Sequence, residues 1–133
     1  MEDVVAGDFR RPWNARPNAR RLAENIPPAT LWAFRPEGLE QVGCVYTAQG
    51  FEFDYAGVIF GTDLVYRHGQ GWVGQPQHSQ DKPVKRSGLA FDNLVKNTYR
   101  VLLTRGLKGC FLCFLDKETE QFFRSRTEKT TIS

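Results

Sequence analysis

The chain has 133 residues, of which 41% are hydrophobic, 13% aromatic and 25% charged, and its formal net charge is +3. That length holds one domain with a core of its own, and the balance excludes disordered, fibrous and collagen-like classes. No apolar run approaches the roughly 20 residues of a membrane-spanning helix, and the Met-Glu-Asp start has no basic-then-apolar leader, so a cytoplasmic chain with no membrane partner is expected.

The first third is rich in loops. Prolines in 11–18 (Arg-Pro-Trp-Asn-Ala-Arg-Pro-Asn) and 26–28 (Ile-Pro-Pro) exclude helix interior there, because proline lacks the amide donor and clashes with the preceding turn. A short helix near 19–24 and a short strand over 31–34 are expected. Arg10, Arg11, Arg16, Arg20 and Arg21 gather here around Trp13. The middle changes character. A short buried strand is predicted over 42–46, broken at 47–54 by Gly50. A second follows over 56–61 (Ala-Gly-Val-Ile-Phe-Gly). Continuously apolar strands belong to parallel sheets covered on both faces. Residues 64–67, the turn His-Gly-Gln-Gly and 72–74 read as a hairpin, and 75–87 as a polar loop.

The clearest helix is predicted over 88–105. Phe91, Leu94, Val95, Thr98, Tyr99 and Leu102 recur at steps of three and four, and Gly106 and Gly109 are expected to end it. A third buried strand is expected over 109–115. Asp116 then caps a last helix carrying Phe122 and Phe123. The expected fold class is α/β: a mostly parallel sheet with helices on both faces and a hairpin and loop insertion around 62–87.

Cys110 and Cys113 form a CxxC inside the run Cys-Phe-Leu-Cys-Phe-Leu. Positions three apart on a strand point to opposite faces, so core packing is expected rather than a metal or redox pair, and no metal site is predicted. His68 and His78 have no partners at ligand spacing and read as surface residues. From Lys82 to Lys108 there are seven basic residues and one acid, a net +6, leaving −3 for the rest. Such an excess suits phosphate-bearing partners, or it is simply a solvated face.

Two stretches carry the chemistry. The first is Tyr46-Thr-Ala-Gln-Gly-Phe-Glu-Phe-Asp54 followed by the strand at 56–61. The second is Tyr99-Arg-Val-Leu-Leu-Thr-Arg-Gly-Leu-Lys-Gly109 followed by the strand at 109–115. In order and spacing they resemble motifs V and VI of superfamily 1 helicases. The longer agreement through 43–58 and 97–106 is closer still to the bacterial Schlafen-group helicase-like family, whose function is largely unknown. The resemblance covers roughly 4–126, and it implies that residues 1–133 are a single, partial domain: the second RecA-like lobe of an ATP-dependent DNA or RNA motor.

That resemblance assigns roles. Arg105 matches the arginine that reaches the γ-phosphate and stabilises charge in the transition state, a task suited to a planar, always charged fork. Glu52 matches the position near the nucleotide sugar, with Gln49 and Gly50 shaping the turn; local capping is the plain alternative for Glu52 and Asp54. Thr47 matches a contact to the nucleic-acid backbone. Lys108 is a phosphate contact or a surface lysine, Arg105 is otherwise a helix C-terminal cation, and Arg100 belongs on the solvent face.

No glycine in the chain is followed by lysine, so no phosphate loop is present. ATP and Mg2+ are then expected to be held mainly by an N-terminal RecA-like lobe of the same protein, with DNA or RNA as the other partner. Asp116 lies after the second motif and reads as a cap, not a magnesium ligand. Trp13, Trp32 and Trp72 read as packing residues, with base stacking as the alternative. An exposed lobe-facing surface implies self-association or marginal stability of the chain by itself. The competing reading is a stand-alone nucleic-acid-binding or protein-interaction module that has lost motor activity. An independent nuclease is disfavoured, for want of a clustered catalytic set.

Overall fold

The structure, a computed structural model, describes residues 3–15 and 26–127. The helix expected near 19–24, and with it Arg16, Arg20 and Arg21, lies outside those residues. In chain order the elements begin with β1 (Val4–Ala6), β2 (Phe9–Arg11), short 3-10 turns at Ala29–Leu31 and Pro36–Glu40, and α1 (Val45–Ala48). Then come β3 (Phe53–Phe60), β4 (Leu64–Arg67), β5 (Gly71–Gly74), a 3-10 turn at Pro76–His78, and α2 (Lys82–Lys85). A 3-10 turn at Gly88–Ala90 leads into α3 (Phe91–Leu103), followed by β6 (Gly106–Phe114) and α4 (Lys117–Thr127).

The architecture is mixed α/β, with β3 and β6 paired in parallel and β1–β2 and β4–β5 as antiparallel hairpins. Among the described residues each sheet has two strands. The chain divides into two compact units, the first made of Met1–Ala56 and Val101–Cys110, the second of Gly57–Arg100 and Phe111–Ser133. Among the described residues no helix is long and apolar enough to cross a membrane.

In the first unit the strand expected over 42–46 shrinks to one residue. Val42 bridges Trp13 in parallel, with its N–H on the Pro12 carbonyl at 2.9 Å and its own carbonyl accepting from Asn14 N–H at 2.9 Å. The chain then turns into α1. Gly43 lies flat on the Trp32 indole, and a Cβ there would overlap the ring. The strand expected over 31–34 is likewise a turn. Trp32 N–H returns to Ala29 O at 3.3 Å and Phe34 N–H to Leu31 O at 3.0 Å, just after two prolines that preset φ for a turn. Trp32 is held in place by Nε1 donating to Gly38 O at 3.0 Å and by an edge contact with Phe53 at 6.1 Å.

These contacts predict that Gly43→Ala is destabilising, because a methyl group must displace a seated indole. The expected loss is about 1–3 kcal/mol, read as a lowered urea midpoint. An unchanged midpoint would show that the indole can move aside.

In the second unit the β4–β5 hairpin pairs Leu64 with Gly74 through to Arg67 with Gly71, as its turn chemistry predicts. Gly69 and Gly71 both sit at φ 83°, which L side chains rarely adopt. Val58, Phe60, Leu64, Val65, Phe91, Val95 and Tyr99 form the buried apolar set. Phe91, Val95 and Tyr99, each four residues apart, are the part of the expected α3 stripe that is buried, whereas Leu94 is 40% exposed. Phe60 stacks on Tyr99 at 4.0 Å and meets Trp72, Phe114 and Phe123 at 5.5–6.0 Å. Trp32 and Trp72 are therefore packing residues, each in its own unit. The Tyr99 hydroxyl accepts from Gly61 N–H at 3.0 Å and donates to Asp63 Oδ1 at 2.6 Å. Burial raises the Asp63 carboxyl above its ordinary value against that hydrogen bond, and burial beside Asp63 raises the Tyr99 phenol.

Burial of the strands departs from expectation. In the second unit Val58 and Phe60 are buried but Gly57 is exposed, and Phe111 and Cys113 are exposed while Leu112 and Phe114 are half-buried. The pattern is the two-residue period of strands packed on one side, so apolar residues along the run do not imply cover on both. Cys113 is accordingly an exposed residue and not a core one. Cys110, in the first unit, is half-buried, and burial pushes its thiol up. The predicted glycine stop also differs. α3 ends through Thr104 N–H on Val101 O (3.2 Å) and Arg105 N–H on Leu102 O (3.3 Å), and Gly106 opens β6, where a Cβ would overlap the Gly109 carbonyl.

Asp116 caps α4, as its position predicts. Its Oδ2 accepts from Thr119 N–H at 3.0 Å, Thr119 Oγ1 at 2.7 Å and Arg67 Nη1 at 2.8 Å. Thr119 is fully buried, and its hydroxyl oxygen accepts from Tyr66 N–H at 3.0 Å, tying α4 to the hairpin. The Arg67 hydrogen bond, with help from Thr119, pulls the Asp116 carboxyl down to about 2.

A folded value below the unfolded one means stability that is present above roughly pH 4 and fades as pH falls toward 2. Screened by solvent, it amounts to roughly 1 kcal/mol. Asp63 runs the other way, since its raised carboxyl favours the folded state in acid. The informative comparison is therefore wild type against Asp116→Asn, which keeps a capping oxygen. Denaturation midpoints should converge between pH 4 and pH 2. A constant offset over that range would contradict the assignment.

Candidate nucleotide and nucleic-acid site

The predicted residues Thr47, Gln49, Gly50, Glu52, Arg105 and Lys108 all fall in the first unit. α1 is a single turn, closed by Ala48 N–H on Cys44 O (2.9 Å) and Gln49 N–H on Val45 O (2.9 Å). Phe51 N–H then returns to Ala48 O at 3.0 Å. β3 starts where Phe53 N–H takes the Arg105 carbonyl at 2.8 Å. That bond sets the start of one motif's strand beside the end of the other motif's helix.

Arg105 is half-buried at the end of α3. Its Nε donates to Val101 O at 3.1 Å, Nη1 to Gln49 O at 3.0 Å, and Nη2 to Thr104 Oγ1 at 3.1 Å. The bond to Val101 adds a charged donor to a helix-end carbonyl that already accepts from Thr104 N–H (3.2 Å) and Thr104 Oγ1 (2.8 Å), which is the plain reading of a C-terminal cation. The bond to Gln49 goes further and fastens the second motif to the turn of the first. A guanidinium carries five N–H groups. One on Nη1 and one on Nη2 make no bond to a described residue.

Gly50 has a negative φ, and a Cβ there would meet no chain atom within 4 Å. The fold itself therefore does not require glycine at this point. Glu52 is exposed and bonds no described residue, so it does not cap the turn. Asp54 pairs with Lys108 at 3.7 Å, with both side chains well exposed. Neither Glu52 nor Lys108 bonds Arg105. Arg100 lies on the solvent face as expected, its Nη1 on Asn97 Oδ1 at 3.0 Å. His68 and His78 are both exposed.

Thr47 is held by a residue that sequence reasoning missed. Asn14, 6% exposed, donates from Nδ2 to Thr47 Oγ1 at 2.9 Å and to Ala15 O at 2.9 Å, and its Oδ1 accepts from Cys44 N–H at 2.8 Å. Cys44 Sγ lies 3.5 Å from Thr47 Oγ1. No local pattern marks Asn14. It stands between two prolines, and apart from the adjacent Ala15 carbonyl its side-chain partners are 30 and 33 residues away.

A mixed α/β chain in which the arginine of one motif is hydrogen-bonded to the Gln-Gly turn of the other fits a helicase-like domain. Comparison with known families gives the same class. The sequence model of the Schlafen group 3, DNA/RNA helicase domain matches residues 1–116, and the chain belongs to that family. An uncharacterized protein of Saccharomyces cerevisiae is 31% identical over 100 residues, covering 69% of this chain and 22% of its own length. The chain thus spans about a fifth of that relative. No solved structure matches it.

Proposed function

We propose that this chain is the second RecA-like lobe of an ATP-dependent DNA or RNA helicase-like motor. In this reading Arg105 is the arginine finger for a nucleotide whose phosphates and Mg2+ are held by a phosphate-loop lobe of the same protein, in a cytoplasmic setting. Gln49, Gly50 and Glu52 border that nucleotide, and Thr47 and Lys108 meet the nucleic-acid backbone.

One observation carries the reading: the Arg105 guanidinium rests on the Gln49 carbonyl at 3.0 Å with part of its fork left over. The chain's own residues fit the second-lobe share of ATP chemistry. Arg105 stabilises charge developing on the transferred phosphoryl group, and the exposed Glu52 carboxylate accepts from ribose hydroxyls. The chain has no Gly-Lys pair to cradle the phosphates. Family membership supports the helicase-like class, and the assignment to the second lobe rests on the motif resemblance.

The test is phosphate release from ATP with poly(dT) or poly(U) present. The chain alone should release none, and the phosphate-loop-bearing polypeptide that contains it should turn over. Hydrolysis by the chain alone would overturn the reading.

A second reading has its own support. Arg105 spends three donors on its own chain, as a purely structural cap does, and Lys82, Lys85, Arg86 and Arg100 are exposed. A module that only binds nucleic acid fits those facts. It predicts binding with no nucleotide dependence in the longer protein.

A further inference from the structure

We propose that Asn14 is a positioning residue that fixes the Thr47 hydroxyl as a hydrogen-bond donor toward phosphodiester oxygens. The inference rests on the reading above that Thr47 meets the nucleic-acid backbone.

The partners of the Asn14 side chain fix the orientation of its amide. A backbone N–H only donates, so the group facing Cys44 N–H at 2.8 Å is the amide oxygen. The amide nitrogen therefore faces Thr47, and a side-chain NH2 only donates. Thr47 Oγ1 is then the acceptor of the 2.9 Å bond, and the second amide hydrogen goes to Ala15 O. With one lone pair committed, the Thr47 proton must leave in another direction. Within the described residues the one alternative acceptor is Cys44 Sγ at 3.5 Å, and a thiol sulfur accepts weakly.

A phosphate oxygen is a strong acceptor with no proton to give. A hydroxyl whose lone pair is occupied from inside and whose proton is only weakly held presents what such an oxygen takes. Asn14 is 6% exposed, so its amide is shielded from competing water and cannot turn over without orphaning Cys44 N–H. Thr47 and Asn14 together thus form a donor with a fixed direction, at a position where a freely rotating surface hydroxyl would discriminate nothing.

The test uses fluorescence anisotropy with fluorescein-labelled dT20 and U20 on the chain, with circular dichroism as the folding control. Asn14→Asp keeps the acceptor for Cys44 but cannot donate to Thr47, so the hydroxyl turns inward. Binding should weaken about fivefold or more. In a Thr47→Val background the same change should have far less effect, because there is no hydroxyl left to aim. A merely structural Asn14 would cost the same in both backgrounds, and that result overturns the proposal.

Should Asn14→Asp fail to fold, Cys44→Ser supplies the second arm. Serine offers the Thr47 proton a stronger acceptor and should weaken binding, whereas Cys44→Ala should not. Equal affinities for the two would also overturn the proposal. If the wild-type chain binds neither oligonucleotide, the backbone role of Thr47 falls and this inference falls with it. If wild type binds and Asn14→Asp binds equally, only this inference falls.

Discussion

If this chain is joined to a phosphate-loop lobe as proposed, Arg105→Ala in that longer polypeptide is expected to lower nucleic-acid-stimulated ATP turnover by about 10^3-fold or more while nucleotide binding persists. The guanidinium reaches the turn of the first motif, and two N–H groups stay uncommitted after its bonds to Val101, Gln49 and Thr104. Charge placed there acts on the transition state more than on bound ATP, so kcat should fall and KM should change little. Arg105→Lys should restore little, because an ammonium lacks the fork that spans Gln49 and an incoming phosphate. The variant also loses three hydrogen bonds within the first unit. Each is worth about 1 kcal/mol, so the melting temperature must be measured beside the rate. A variant that melts normally, binds ATP and fails to hydrolyse it supports the finger reading; one that hydrolyses normally contradicts it.

Phe60→Ala is expected to be the most damaging single change to stability. Phe60 is 2% exposed and is the common neighbour of Tyr99, Trp72, Phe114 and Phe123. Removing a buried phenyl ring costs about 3–5 kcal/mol, against a typical total of about 5–15 for a domain. The cavity would lie where the end of β3 meets the helix stripe, so Tyr99 and its bond to Asp63 should loosen as well. Equilibrium unfolding in urea should show a midpoint lowered by a large fraction of its wild-type value, or no folded baseline at all. Phe60→Leu should cost far less, because most of the volume is kept. A small loss in Phe60→Ala would mean that the surrounding aromatics close the gap.

Features that depend on neighbours in sequence were legible without coordinates. The 64–74 hairpin follows from glycines at positions needing positive φ, and the buried edge of α3 from apolar residues every fourth place. The cap at Asp116 follows from a carboxylate just before a helical run. The features that escaped depend on distant partners. The strand expected over 42–46 fails because Gly43 is seated on Trp32 and Cys44 N–H is taken by Asn14, and nothing in 42–46 records either neighbour. The single-sided burial of β3 and β6 escaped for the same reason: an apolar residue does not say whether anything covers it. For the site, the motifs mark Thr47, Gln49 and Arg105, and the structure adds the bond between Arg105 and Gln49 and the amide behind Thr47. Glu52 and Lys108 were named from the motifs, and the fold brings neither to Arg105.

In the proposed function Arg105 serves a phosphoryl group in transfer and is not only a helix cap. The direct measurement, in the longer polypeptide that joins this chain to the proposed phosphate-loop lobe, is the affinity for ADP with aluminium fluoride, compared with ADP alone, for wild type and Arg105→Ala. The planar fluoride complex mimics the transferring group, so a finger should tighten its binding and leave ADP alone unaffected. Arg105→Ala should lose most of the extra affinity for the fluoride complex while binding ADP as wild type does. Equal preference for the complex in both proteins would contradict it and leave Arg105 as the cap of α3.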